Sequence, residues 1–186
     1  MENDELKSFV SDCSEKMKDD PMIYESVFLK VYVKFELFIS RIFTKYALGE
    51  TNENGFVPER KLCFSDEQQL FAVINGTTNK EYIDYLKVIE TIGNHIFKNN
   101  PFSVLYEIAE YNTILRQCIA IRNCIAHESD SSKKKYQECC LVVTKPYVDP
   151  GVYLSSVNKH TSKTYYTFYV SKLIEISELI LKPIEN

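Results

Sequence analysis

Within one run of six residues, Arg122-Asn123-Cys124-Ile125-Ala126-His127, the chain gathers a guanidinium, a carboxamide and an imidazole. These are groups suited to hold and cleave a phosphodiester without a metal. The guanidinium stays charged and grips two phosphate oxygens at once, whereas the imidazole titrates near neutrality and can move a proton to or from a hydroxyl. RNA brings its own nucleophile. When His127 removes the proton from a ribose 2′-OH, that oxygen attacks the adjacent phosphorus, and Arg122 offsets the charge gathering on the non-bridging oxygens. DNA lacks the hydroxyl and is inert to this route.

Spacing restricts how such a site is built. At about 100° per residue, Asn123 and His127 share a helix face, so the amide can orient the ring, but Arg122 and His127 point about 140° apart. Either the helix breaks between them, or a second subunit brings its own Arg and His to a composite cleft. A competing account needs no function, since cations near a helix C-terminus favour the macrodipole. Cys124, three residues before His127, suggests a thiol paired with a base, yet no oxyanion hole or third residue goes with it, and burial explains it better. Lys133, Lys134 and Lys135 are candidate RNA contacts that equally suit a solvated turn. Tyr165 and Tyr166 could stack on bases, although aromatic residues at helical spacing are first of all core. His95 and His160 have no companions and are read as incidental.

A site at a helix end needs a rigid bundle behind it, and hydrophobic periodicity supplies one. Leu6, Phe9, Val10, Cys13 and Met17 predict a helix over 4–18, before the break at Asp19-Asp20-Pro21. Pro21 opens a longer helix to Leu48, whose apolar set runs from Val27 through Phe28, Val31, Tyr32, Phe35, Phe38, Ile39, Ile42 and Phe43 to Tyr46. Leu29, Val33 and Leu37 form a second set, so this helix, roughly 40 Å long, must be covered on more than one side, as a central rod or at a subunit interface. Gly49 ends it, and 50–58 reads as an exposed loop able to stay mobile.

Ser65-x-x-Gln68 and Thr78-x-x-Glu81 are capping-box patterns that start two further helices, one over 66–74 and one carrying Tyr82, Tyr85, Leu86, Ile89, Ile92 and Ile96 on one face. Asn100 and Pro101 provide a cap and first residue for a helix that runs through Phe102, Leu105, Ile108, Ala109, Leu115 and Ile119 into the Arg122–His127 run. A polar turn over 128–135 follows, then two short strands, 139–144 and 152–155, around Asp149-Pro150-Gly151. The last helix starts near Lys163, carries Tyr166, Tyr169, Val170, Leu173, Ile176 and Ile180 with Ser177 interrupting, and closes at Lys182-Pro183. The expected fold is all-α, an antiparallel helical bundle with a small β-hairpin before the C-terminal helix, in a single domain over 1–186.

Composition agrees. A chain of 186 residues with 45% hydrophobic and 26% charged residues, 5 Gly and 6 Pro suits one globular domain. A net charge of −4 excludes a histone-like polybasic protein, but residues 122–163 carry seven cations against four carboxylates, a local +3 that leaves −7 on the remainder. Such a segment could guide an RNA backbone. The charges scattered through Met22–Leu48 rule that run out as a membrane span, and the acidic N-terminus lacks the basic start of a secretory signal, so a cytoplasmic location is expected. The six cysteines, at 13, 63, 118, 124, 139 and 140, include no C-x-x-C pair and read as reduced thiols, with no metal site and no cofactor expected.

The run Arg122-Asn123-Cys124-Ile125-Ala126-His127 resembles the R-N-x-x-A-H form of the HEPN-domain signature, an Arg followed a few residues later by His, late in a long helix. Phe35-Glu36-Leu37-Phe38 within a long early helix, and the apolar final helix, are similar to the layout of the same superfamily, in particular its RiboL-PSP type. The resemblance implies a homodimeric helical bundle in which Arg122, Asn123 and His127 of both subunits line one cleft. It further implies a metal-independent endoribonuclease of a toxin–antitoxin, antiviral-defence or RNA-processing system, with RNA as substrate and an antitoxin or neighbouring regulatory protein as a candidate partner. The alternative within the same family is a non-catalytic module that binds RNA, a nucleotide or a protein partner. Some HEPN toxins are silenced by nucleotidyl transfer onto a Tyr two residues after the His; Ser129 stands there, so that control has no acceptor.

Overall fold

The computed structural model describes residues 2–16, 20–75, 85–141, 146–159 and 161–183. Helix α1 (Asp4–Lys16) leads into α2 (Pro21–Leu48), followed by α3 (Glu67–Asn75), α4 (Tyr85–Ile96), α5 (Ala109–His127), α6 (Asp130–Cys140), α7 (Pro150–Ser155) and α8 (Tyr165–Leu181). Two two-residue strands, β1 (Val157–Asn158) and β2 (Lys163–Thr164), pair antiparallel just before α8, with Val157 opposite Thr164. The chain is an all-α helical bundle with a small hairpin before the C-terminal helix.

Local chemistry sets the ends of α2. Asp20 is extended and its Oδ1 accepts from the Met22 N–H at 2.9 Å, while Pro21 occupies a first-turn position that has no N–H to satisfy. At the other end Gly49 turns left-handed (φ 82°), and the N–H groups of Gly49 and Glu50 return to the carbonyls of Tyr46 and Lys45. A side chain on Gly49 would collide with the Arg60 guanidinium, whose Nη1 donates to the Ala47 carbonyl at 3.0 Å.

Between these caps α2 buries Tyr24, Phe28, Val31, Tyr32, Phe35, Phe38, Ile39, Ile42, Phe43 and Tyr46, and it packs on α1, α3, α4, α5, α7 and α8. Each fully buried side chain of this size contributes about 1.5–3 kcal/mol. Edge-on aromatic pairs lock the neighbours: Phe28 on Tyr169 of α8, Phe43 on Phe97 and Phe102. The helix is the central rod. Its second apolar set is not covered in the same way, because Val33 (41%) and Leu37 (45%) are exposed along with Met22 (75%).

Several expectations are refined or corrected. The segment 50–58 is an exposed loop, as expected, with one anchor the sequence did not show: the Asn52 carboxamide, 4% exposed, donates to the Tyr46 hydroxyl (2.8 Å) and the Leu181 carbonyl (2.6 Å) and accepts from the N–H groups of Asn54 and Phe56. The Ser65/Gln68 box is displaced by one residue, with Asp66 Oδ1 accepting from the Gln69 N–H and Gln69 Oε1 from the Ser65 N–H. The Thr78/Glu81 box and Tyr82 lie outside the described residues. Asn100 caps a turn, not a long helix: its Oδ1 accepts from the Phe102 N–H, a single 3-10 turn over Ser103–Leu105 follows, and α5 starts only at Ala109.

The polar segment over 128–135 is largely helix α6, since Ser129 Oγ caps it by accepting from the Ser132 N–H. The expected strands over 139–144 and 152–155 are absent where described: Cys139 and Cys140 end α6, Val142–Thr144 lie outside the described residues, and Pro150 starts a helix after Asp149 instead of completing a turn. Pro at a first helical position fits either outcome, and burial of Tyr153 and Leu154 on one side of α7 decided it. The hairpin forms further on. Ser177, the polar break in the α8 stripe, is buried and satisfied, donating to the Ile174 carbonyl (2.7 Å) and accepting from Asn3 Nδ2 (3.1 Å).

Candidate functional site

The site is carried by α5, which buries Tyr111, Ile114, Leu115, Cys118, Ile121 and Cys124 against α2, α7 and α8. Those positions recur at helical spacing and leave Arg122, Asn123 and His127 off the packed face. The helix is continuous from Ala109 to His127, and Glu128 ends it in the left-handed conformation (φ 49°), its N–H returning to the Cys124 carbonyl. No break separates Arg122 from His127, so they stay about 140° apart around one axis.

The two are held differently. Arg122 is half-buried and doubly engaged: Nη2 meets Glu36 Oε2 of α2 at 3.2 Å, and Nη1 donates to Asn123 Oδ1 at 2.7 Å. Glu36 and Arg122 side chains are 26% and 22% exposed. His127 is exposed at the last residue of the helix, and among the described residues no side chain is bonded to its ring. Asn123 therefore orients the guanidinium, not the imidazole as its four-residue spacing suggested. The amide takes the stronger partner, because a charged donor is worth about twice a neutral one.

Glu36 enters the sequence reading only within Phe35-Glu36-Leu37-Phe38 and as a charge interrupting the apolar stretch, with no partner assigned. Its signal was legible: it is the only carboxylate of α2 beyond Glu25. An acid that far into a buried helix needs a cation to face.

Cys124 is 3% exposed, and its Sγ lies 3.5 Å from the Tyr147 hydroxyl. Burial pushes the thiol above its ordinary range, with the Tyr147 hydroxyl and Lys133 pulling the other way and Glu25 and Asp149 adding to the rise. It is a packed thiol and not a thiolate nucleophile at neutral pH.

Lys133, Lys134 and Lys135 are exposed on the first turns of α6, which folds back along α5 so that Gln117 bonds the Cys139 carbonyl. Their lysines are spread over about 200° of the helix, so they do not make one phosphate track. Tyr166 is buried, and Tyr165 stacks on Tyr153 with ring centroids 4.3 Å apart, which answers their expected role as core.

Among the described residues no three His, Cys, Asp or Glu side chains gather closely enough to hold a metal ion, and no helix is long and apolar enough to cross a membrane. Comparison with family models, with curated proteins and with solved structures found no match in any of the three.

Proposed function

We propose that the chain is a metal-independent endoribonuclease of HEPN type, acting as a homodimer on single-stranded or loop RNA in the cytoplasm. The observation that carries this reading is the unequal holding of its two chemical groups. Arg122 is fixed by Glu36 and Asn123, as an anchor for a phosphate must be, while His127 projects freely from the same helix, as a proton carrier must. Continuity of α5 keeps one copy from focusing both on one phosphorus, and a second copy supplies the complement. The exposed stripe Met22, Val33 and Leu37 lies along one side of α2 and ends beside Glu36, which gives such a copy an apolar seat next to the guanidinium.

In the reaction one imidazole takes the 2′-OH proton. The O2′–P bond forms, the P–O5′ bond breaks, and the leaving oxygen takes a proton from the other copy's imidazolium. The products are a 2′,3′-cyclic phosphate and a 5′-hydroxyl. The Arg122 pair stabilises the non-bridging oxygens. The biological setting in this reading is a toxin or antiviral-defence effector with an antitoxin or neighbouring protein as its control.

Cleavage of RNA by the purified chain, assayed beside Arg122→Ala and His127→Ala with analysis of the ends, tests this. Loss of cleavage in both, with EDTA without effect, is the expected result; cleavage that survives His127→Ala rejects the mechanism. A second reading is favoured by the Glu36 contact itself, since a guanidinium already paired with a carboxylate has less charge to lend a transition state. It makes the cleft a non-catalytic site for RNA, a nucleotide or a protein, and a dimer that binds RNA without ever cutting it supports that reading.

A further inference from the structure

Tyr147 leads into α7 and leaves 38% of its surface exposed, unusual for a ring so firmly held. Its hydroxyl is tied to Cys124 Sγ at 3.5 Å. Its ring and that of Tyr136 stand T-shaped, with centroids 6.0 Å apart at 81°. Tyr136 is fully buried, donates to the Val148 carbonyl at 3.1 Å and packs in turn on Tyr153. The platform is therefore rigid before any ligand arrives, which removes the ordering cost that a loose aromatic would incur on binding.

Its position matters as much as its rigidity. Cys124 precedes His127 by three residues, so the two lie within about 60° of each other on α5, and the Tyr147 hydroxyl meets that helix about one turn before His127, on the side away from Arg122. Glu25 and Asp149 are close enough to act on the Tyr147 hydroxyl, and with burial they push its ionisation upward. Those carboxylates repel a phosphate here but are indifferent to the neutral face of a base.

We propose that Tyr147 is a stacking platform for an unpaired nucleobase next to the scissile phosphate, and that it makes unpaired RNA the preferred substrate. This rests on the ribonuclease reading above and adds a specificity residue to it. Arg122 of one copy grips the phosphate, His127 of the other meets the ribose hydroxyl, and the base beyond it lies on the tyrosine ring of the copy that supplies the imidazole. A base kept in a duplex cannot reach the ring, so paired RNA is a poor ligand.

The test measures binding of a short fluorescein-labelled single-stranded RNA by anisotropy in the His127→Ala chain, which cannot cut it. Adding Tyr147→Leu should weaken binding about tenfold, whereas adding Tyr147→Phe, which keeps the ring and loses the Cys124 contact, should stay within about twofold. A 2-aminopurine in the RNA should be quenched on binding in the Phe variant, a signature of stacking that does not depend on the Leu variant folding. Equal binding by the Leu variant, equal loss in both variants, or no quenching overturns the proposal. If the wild-type chain cuts RNA and the Leu variant binds unimpaired, only this inference falls; if the wild type neither binds nor cuts, the reading it rests on falls with it.

Discussion

Removing Glu36 should show how firmly Arg122 is anchored. The pair is 3.2 Å apart, with both side chains about three-quarters withdrawn from water. At that separation and an effective dielectric of about 20, the Coulomb attraction is about 5 kcal/mol. Withdrawing both ions from water cancels most of it. The net coupling should be about 1–2 kcal/mol, above the ceiling for exposed pairs and below the roughly 3–5 kcal/mol lost when one member of a fully buried pair is removed. A double-mutant cycle reads this directly: urea unfolding of the wild type, Glu36→Ala, Arg122→Ala and the double variant. The bond from Arg122 to Asn123 is lost in both variants that lack the guanidinium and so cancels from the coupling. Additivity of the two single changes within about 0.5 kcal/mol would refute the anchoring argument. High salt should reduce the coupling only in part, because screening acts weakly on a pair shielded from solvent.

Three other outcomes are expected. Asn52→Ala leaves the Tyr46 hydroxyl and the Leu181 carbonyl without their buried donor and frees the 50–58 segment, so chemical denaturation should show a loss of about 2–4 kcal/mol and proteolysis should begin in that segment. The Tyr166 hydroxyl is buried without a hydrogen-bond partner among the described residues, so Tyr166→Phe should raise stability by about 1 kcal/mol, or 2–4 °C in Tm; a fall in Tm would contradict it. The Tyr111 hydroxyl and Lys172 hold the Glu175 carboxyl below its ordinary value of 4.5, while Glu175 and Glu110 together raise Lys172 to about 12. A lowered carboxylate pKa gives stability that is present above pH 4.5 and lost as the pH falls through the folded value, so Glu175→Gln should flatten the acid side of the Tm–pH curve; an unchanged slope there would refute it.

Much of the frame was legible in the chain. Asp20-Pro21 and Gly49 delimit α2 as their backbone preferences require, and the apolar periods of α2, α5 and α8 name most of the core. The errors cluster where local chemistry permits two outcomes. Pro150 opens a helix as readily as it shapes a turn, Ser129 caps a helix where a polar turn was expected, and Asn100-Pro101 starts a single turn while α5 begins separately at Ala109 after the extended Ile108. For Pro150 the choice falls to packing, since Tyr153 and Leu154 are buried.

The candidate site divides the same way. Residue types and spacing alone determine that a guanidinium, an amide and an imidazole share one helix end and that Arg122 and His127 diverge, because the angle between side chains follows from the helical repeat. Only tertiary structure decides which partners these groups meet. Glu36 is 86 residues from Arg122, and Tyr147 is 23 from Cys124. Contacts between segments so far apart depend on how helices pack, and packing is a property of the whole core, which no local pattern records.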